Sequence, residues 1–76
     1  MNGRYFQTQE KFSKALLMER LGMLLFKLEQ YNLAEQRFKQ SLDQFKKLVS
    51  GRIYLGWSYY YQDKKKEALQ ELRHAQ

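Results

Sequence analysis

Residues 21–38, LGMLLFKLEQYNLAEQRF, carry the clearest structural signal in the chain, because they contain the end of one helix, a short bend and the start of another. Apolar residues before the bend recur at close to the helical period, and the good helix formers of residues 8–29 predict a first helix. Asn32, followed three residues later by Glu35, predicts an N-cap and a capping box for the second helix. We therefore expect an antiparallel helical hairpin.

The rest of the chain predicts a second hairpin. The second helix should end at Ser50 and Gly51, a third is predicted over residues 52–62, and Asp63 is the expected N-cap of a fourth. A strand is the competing interpretation of RIYLGWSYYY (residues 52–61), but this stretch lacks strict alternation and has no partner strand elsewhere. The sequence therefore predicts an all-α fold.

The two hairpins match one another when the chain is shifted by 34 residues. The shift places small residues on small ones and large residues on large ones: Leu21 on Leu55, Gly22 on Gly56, Leu25 on Tyr59, Phe26 on Tyr60, Ala34 on Ala68, Phe38 on Leu72 and Ser41 on Ala75. Small residues let the paired helices approach closely, and the large residues fill the space between them. The chain therefore makes the same hairpin twice.

This period and alternation resemble the tetratricopeptide repeat (TPR) over residues 15–76. Arg52, where the family prefers a large apolar residue, and Lys65, where Tyr31 supplies an aromatic in the first copy, depart from the pattern. The resemblance implies a single domain, 1–76: a helix extension at 8–14, repeat 1 at 15–48 and a truncated repeat 2 at 49–76. It also implies a short right-handed solenoid of stacked antiparallel hairpins. An unrelated four-helix bundle is the alternative.

The resemblance further implies a non-catalytic protein-protein interaction module or scaffold, which binds a peptide or partner helix on its concave face. Seven residues of the first helices are assigned to this face: Met23, Phe26, Ile53, Tyr54, Trp57, Tyr60 and Tyr61. Aromatic side chains with a polar atom give large contact area with few rotatable bonds. By helical register Tyr59 faces the core, while Tyr60 and Tyr61 face the groove or solvent. The alternative is that these rings only fill the core.

A solenoid of two repeats leaves helix faces uncovered at its ends. Leu69, Leu72 and Ala75 on the last helix are expected to mediate self-association as a dimer, or to meet a further repeat of a longer array. At the other end, Phe6 and Phe12 are expected to extend the first helix and cover it. The alternative is that the last helix packs its apolar stripe wholly on its own hairpin partner.

Composition argues against catalysis. A chain of 76 residues forms one small domain, and it contains no Cys and a single histidine, His74. We find no Ser-His-acid set, no glycine-rich phosphate loop and no cluster of metal ligands at helical spacing, so we predict no enzyme activity, cofactor or metal. Charged residues interrupt the apolar runs, so no membrane span or signal peptide is expected, and a cytoplasmic protein is predicted.

The positive charge leaves nucleic-acid binding as the alternative function. Lys and Arg number 14 against 8 Asp and Glu, which gives a net charge of +6. Exposed rings such as Trp57 could stack on bases while lysines contact phosphates. The basic residues are dispersed and interleaved with acidic ones, so we expect a solvated basic surface rather than a phosphate-binding track.

Overall fold

The computed structural model describes the backbone of residues 3–75 and the side chains of residues 8–75. This part of the chain is all-α, as predicted, with no strand, and its four helices are α1 (Gly3–Lys27), α2 (Tyr31–Gln44), α3 (Val49–Tyr61) and α4 (Lys65–His74). Helix α1 packs extensively on α2, α2 on α3, and α3 on α4, whereas α1 and α3 share only a small contact. Short connections join the helices, so the fold consists of two antiparallel hairpins, α1–α2 and α3–α4, that meet through α2 and α3.

The turns of the two hairpins have the same backbone geometry. Glu29 and Asp63, which are 34 residues apart, both have a left-handed backbone, with φ of 62° and 63°. In each turn the next N–H donates to the carbonyl five residues back at 2.9 Å: Gln30 to Leu25, and Lys64 to Tyr59. The left-handed residue donates to the carbonyl three residues back at 3.0 Å. Both turns are therefore Schellman motifs.

These turns explain why two predicted caps are wrong. The N-caps of α2 and α4 are Gln30 and Lys64, and neither side chain makes a capping hydrogen bond. Asn32 lies inside the first turn of α2, so Glu35 cannot form the predicted capping box, and Asp63 lies in the preceding turn. The Schellman motifs close the preceding helices, and the next helices begin at once, because Ala34 N–H donates to the Gln30 carbonyl at 2.9 Å and Ala68 N–H to the Lys64 carbonyl at 3.0 Å.

The predicted boundary between α2 and α3 is also wrong. Helix α2 ends at Gln44, and Ser50 and Gly51 lie in the first turn of α3. The break falls at Phe45, whose backbone is extended and whose ring packs edge-to-face on Phe12 with ring centroids 5.2 Å apart. Phe12, in the N-terminal part of α1, therefore packs against the connection between the hairpins. It lies in the extension of the first helix, as predicted. The side chain of Phe6 lies outside the described residues.

Small residues bring the helices of each hairpin close together. A Cβ atom at Gly22 would lie 2.7 Å from a ring carbon of Phe38, and one at Gly56 would lie 2.9 Å from Cγ of Leu72. The buried core follows this plan in both hairpins and comprises Ala34, Phe38, Leu42, Leu55, Tyr59 and Ala68. Tyr59 faces the core, as its register predicts.

Polar contacts tie the elements together at three further points. The Ser41 hydroxyl donates to the backbone carbonyl of Ala15 at 2.7 Å and links α2 to α1. The Ser50 hydroxyl donates to the buried carboxylate of Glu19 at 3.0 Å and links the start of α3 to α1. In the second hairpin, Arg52 on α3 forms an ion pair with Glu71 on α4 at 3.2 Å. No helix in the described part of the chain is both long and apolar enough to cross a bilayer.

Candidate protein-interaction site

The end of α1, the start of α2 and helix α3 bring together six aromatic side chains, which we call the aromatic cluster: Phe26, Tyr31, Tyr54, Trp57, Tyr60 and Tyr61. Tyr31 and Tyr61 stack with centroids 4.8 Å apart and ring planes inclined by 12°. Phe26 contacts Tyr54 and Tyr61 edge-to-face at 6.2 and 5.6 Å. Such offset and edge contacts are favourable ring geometries. Burial among the rings, followed by the nearby charge of Glu29, raises the pKa of the Tyr31 phenol.

The structure divides the seven residues predicted to bind a partner. Met23, Phe26 and Tyr54 are half-buried against the core, and Tyr54 stacks on the fully buried Phe38 with centroids 5.5 Å apart. The other four are exposed: Ile53, Trp57, Tyr60 and Tyr61. This set of seven therefore contains both residues that pack against the core and residues that face solvent. Its α1 side and Tyr54 hold the hairpins together, while most of its α3 side is accessible.

Helices α3 and α4 form an apolar groove of about 360 Å³, which we call the α3–α4 groove; its lining residues are Trp57, Tyr60, Lys65, Ala68, Leu69 and Leu72. Lys65 is the one charged residue of this lining. Trp57 is 41% exposed and Leu69 is 54% exposed, so large apolar surface remains open to solvent along it. Leu72 is half-buried, because it packs against Gly56.

The groove joins two residue sets that the sequence treats separately. Trp57 and Tyr60 are predicted to bind a partner, whereas Leu69 and Leu72 are predicted to mediate self-association. Ala75, the third residue of the self-association set, is half-buried and does not line the groove. The groove was not predicted, because it depends on how α3 packs on α4. The available signal is the 34-residue shift, which relates the groove lining to residues of the first hairpin.

Glu35 is a buried carboxylate that connects the two hairpins. It accepts hydrogen bonds from the Gln62 side-chain amide at 2.8 Å and from Lys64 Nζ at 3.2 Å, both in the α3–α4 turn. Lys39 Nζ, one helical turn away on α2, lies 2.9 Å from its other oxygen, as the i,i+4 spacing of the two residues allows. The links to the second hairpin were not predicted.

The network around Glu35 shifts two pKa values. Burial favours the neutral acid, but hydrogen bonds from Lys39, Gln62 and Lys64 outweigh that effect and hold the pKa of the Glu35 carboxyl below its ordinary value. The hydrogen bond to Glu35, followed by that to the Tyr59 hydroxyl, raises the pKa of Lys39. The amines of Lys39 and Lys64 also lie 5.5 and 5.8 Å from the centroid of the Tyr59 ring, within cation–π range.

A second depression, of about 350 Å³, is lined by residues of α2 and the segment after it, α3 and α4. Its charged lining includes Lys39 and the Arg52–Glu71 ion pair, so these groups already have partners. Across residues 8–75, no group of three or more His, Asp or Glu side chains could hold a metal ion.

None of the protein-family models, curated proteins or solved structures compared with this chain matches it. The class that the geometry defines is a small all-α protein of two packed hairpins, with an open apolar groove on the second.

Proposed function

We propose that this chain is a non-catalytic protein-interaction module that binds the apolar face of a helix in the α3–α4 groove. The observation that carries the proposal is the open apolar surface of Trp57 and Leu69, which lie in a groove where Lys65 is the one charged lining residue. Single apolar residues are common on protein surfaces, whereas contiguous apolar patches mark interaction sites. Trp is also the residue type most enriched among the energetic anchors of interfaces.

The form of the groove favours a helix as the ligand. Its two walls are helices α3 and α4, and its floor contains the buried Ala68 and the half-buried Leu72. Amphipathic helices bind such grooves through side chains spaced three, four and seven residues apart. Ring contacts of Trp57 with Tyr60 at 5.5 Å restrict both side chains before binding, which lowers the entropy lost on association. Ile53 and Tyr61 extend the accessible surface along α3.

We further propose that the two hairpins are TPR-like repeats, residues 15–48 and 49–76, stacked as a short right-handed solenoid. Three correspondences at the 34-residue shift support this proposal. The Schellman turns match, the close approach of Gly22 to Phe38 corresponds to that of Gly56 to Leu72, and Ala34 and Ala68 are both buried.

Selection of helical peptides tests the proposed function. A phage-displayed library of amphipathic helical peptides is selected against the immobilised chain, and affinities are measured by calorimetry. We expect enrichment of apolar residues at helical spacing and a loss of at least about tenfold in affinity on Trp57→Ala. Leu33→Ala, at an exposed leucine of α2 outside the groove, is the matched control and should change affinity by less than about twofold. Peptides that bind both variants equally well would refute the assignment of the groove.

The ion pairs of the structure count against the nucleic-acid alternative. Lys39 and Lys64, the lysines placed over the Tyr59 ring, both pair with Glu35, and Lys65 is the one cation that lines the groove. We expect a generic 20-nucleotide single-stranded RNA to show no binding at 200 mM salt and little at 50 mM. Binding that weakens steeply with salt over this range would instead favour the alternative.

A further inference from the structure

We propose that the α3–α4 groove binds helix α1 of a second copy of this chain, so that molecules associate head to tail. The inference rests on the proposed function of the groove and names its occupant. The docking surface of that second copy is a row of exposed leucines on α1 and in the turn after it, which we call the leucine row: Leu17, Leu24 and Leu28, at 53%, 58% and 69% exposure. Leu17 and Leu24, seven residues apart, lie on one face of α1, and Leu28 follows four residues later in the turn after the helix.

The first hairpin has an equivalent of the groove, and a helix fills it. Shifted back by 34 positions, the groove lining becomes Met23, Phe26, Tyr31, Ala34, Glu35 and Phe38. Helix α3 covers this surface: Tyr54 stacks on Phe38, Tyr61 stacks on Tyr31, and Gln62, just after the helix, donates to Glu35. The same positions are therefore covered by a helix on the first hairpin and open on the second.

Helix α3 covers the first hairpin with one face, and the equivalent positions of α1 and the turn after it are apolar and uncovered. Three residues belong to the packed face of α3 and the turn after it. A Cβ at Gly51 would lie 3.5 Å from Leu42, Ser58 is fully buried, and Gln62 donates to Glu35. Shifted back by 34 positions they become the leucine row: Leu17, Leu24 and Leu28. A leucine therefore stands at each place where α3, or the turn after it, has a small or polar residue, and each of these leucines is exposed.

Both partners of one polar contact are replaced by leucines at the 34-residue shift. Within the chain, Glu35 on the first hairpin accepts a hydrogen bond from Gln62. Their counterparts at the 34-residue shift are Leu69 in the groove and Leu28 in the leucine row. A polar pair inside the molecule thus corresponds to an apolar pair between molecules, and both of these leucines are exposed. This matched change sets the register of the proposed contact.

The same register brings two positive charges together across the proposed contact. Tyr31 stacks on Tyr61 within the chain, and their counterparts are Lys65 and Lys27, both exposed. Two lysines therefore face one another across the contact, in a protein whose net charge is already +6. Like charges at an interface oppose association, and salt screens them. Association should accordingly tighten as salt is added.

The contact uses two different surfaces, so it does not close on itself as a two-fold dimer would. Each added molecule leaves one groove and one leucine row free, and such heterologous contacts continue into chains or rings. We therefore expect the average mass to keep rising with concentration rather than to stop at a dimer.

Two blocked variants test this arrangement by light scattering after size exclusion. Leu24→Asp blocks the leucine row, and Leu69→Asp blocks the groove. Each alone should associate at least about tenfold more weakly than the unmodified chain, because an aspartate would be buried without a partner. Mixed in equal amounts they should form a dimer and nothing larger, since one variant keeps an intact groove and the other an intact row. Leu33→Asp is the control and should associate like the unmodified chain.

Charge reversal tests the register without disturbing the apolar contact. Lys27→Glu and Lys65→Glu should each tighten association by about two- to fivefold, and the double variant should return to the affinity of the unmodified chain. Lys47→Glu, an exposed change outside both surfaces, corrects for the altered net charge. Equal effects of Lys27→Glu and Lys47→Glu would overturn the register.

The outcomes separate this inference from the proposed function. Association of Leu24→Asp at the unmodified affinity, or a chain that stays monomeric to high micromolar concentration, would overturn the second copy as occupant. Selected peptides that still depend on Trp57 would then leave the proposed function standing. If Leu69→Asp and Trp57→Ala both kept peptide binding and self-association unchanged, the proposed function and this inference would both be overturned.

Discussion

At the scale of single residues, the two left-handed turn positions hold side chains that the backbone does not favour. Glu29 has φ of 62° where a Schellman motif prefers glycine. We expect Glu29→Gly to raise the free energy of unfolding by about 0.5–1 kcal/mol, because glycine removes a steric cost that exceeds its extra entropy in the unfolded chain. Urea denaturation at pH 7 measures the change.

The matched control is the same substitution inside a helix. Glu10 is exposed and lies in α1, so Glu10→Gly should lower the free energy of unfolding by about 0.5–1 kcal/mol. Opposite signs for the two variants support the left-handed turn. A loss of stability on Glu29→Gly would show that the turn does not have this conformation.

The buried carboxylate of Glu35 predicts a dependence of stability on pH. Its pKa is held below the ordinary value, so its contribution is present above that ordinary value, near pH 4.5, and is lost as the pH falls through the folded pKa. Glu35→Gln should lower the free energy of unfolding at pH 7 by about 1–2 kcal/mol. Urea denaturation at several pH values should show this difference shrinking below pH 4.5. A difference independent of pH, or an equal effect of Glu10→Gln, would contradict the assignment.

Local rules predict some of these residue positions and miss others. Helical register places Tyr59 in the core, and the i,i+4 rule pairs Glu35 with Lys39, because both depend on one helix alone. The contact of Glu35 with Gln62, 27 residues away, depends on the packing of two hairpins. The cap at Asn32 was wrong because α2 begins directly after the Schellman turn, with Gln30 as its N-cap.

At the scale of helices, two glycines differ in what surrounds them. Gly22 lies against the ring of Phe38, which is fully buried and has no room to shift. Gly22→Ala should therefore lower the free energy of unfolding by about 1–3 kcal/mol, despite the better helix propensity of alanine. Thermal and urea denaturation measure the loss.

Gly51 provides the contrast within the same fold. A Cβ there meets its nearest neighbour, Leu42, at an ordinary distance of 3.5 Å. Gly51→Ala should therefore stabilise α3 by up to about 1 kcal/mol. If Gly22→Ala were equally stabilising, the close packing of α1 on α2 would be wrong.

Periodicity predicts the helices well and the α2–α3 boundary poorly. The apolar face of the second helix continues in the sequence through Phe45 and Leu48, so no local signal ends it at Gln44. Ser50 and Gly51 look like a helix end in sequence. In the fold, Ser50 instead donates to Glu19 across the hairpins, which no local pattern indicates.

At the scale of the whole molecule, the two hairpins share one plan and differ in what covers them. The sequence identifies Trp57 and Leu69 as candidate contact residues, one for a partner and one for self-association. It does not indicate that both line one groove, because that requires the packing of α3 on α4. Helix α3 covers the equivalent surface of the first hairpin. With that contact known, the 34-residue shift indicates that a helix fits the groove.

The most direct test of the central claim is the fluorescence of Trp57 across a hundredfold range of concentration, measured together with mass. Trp57 is the one tryptophan of the sequence, and it lines the groove at 41% exposure. We predict that its emission shifts to shorter wavelength as the mass rises, and that Leu24→Asp shows neither change. Mass that rises while the emission stays constant would contradict the claim that a helix fills the groove.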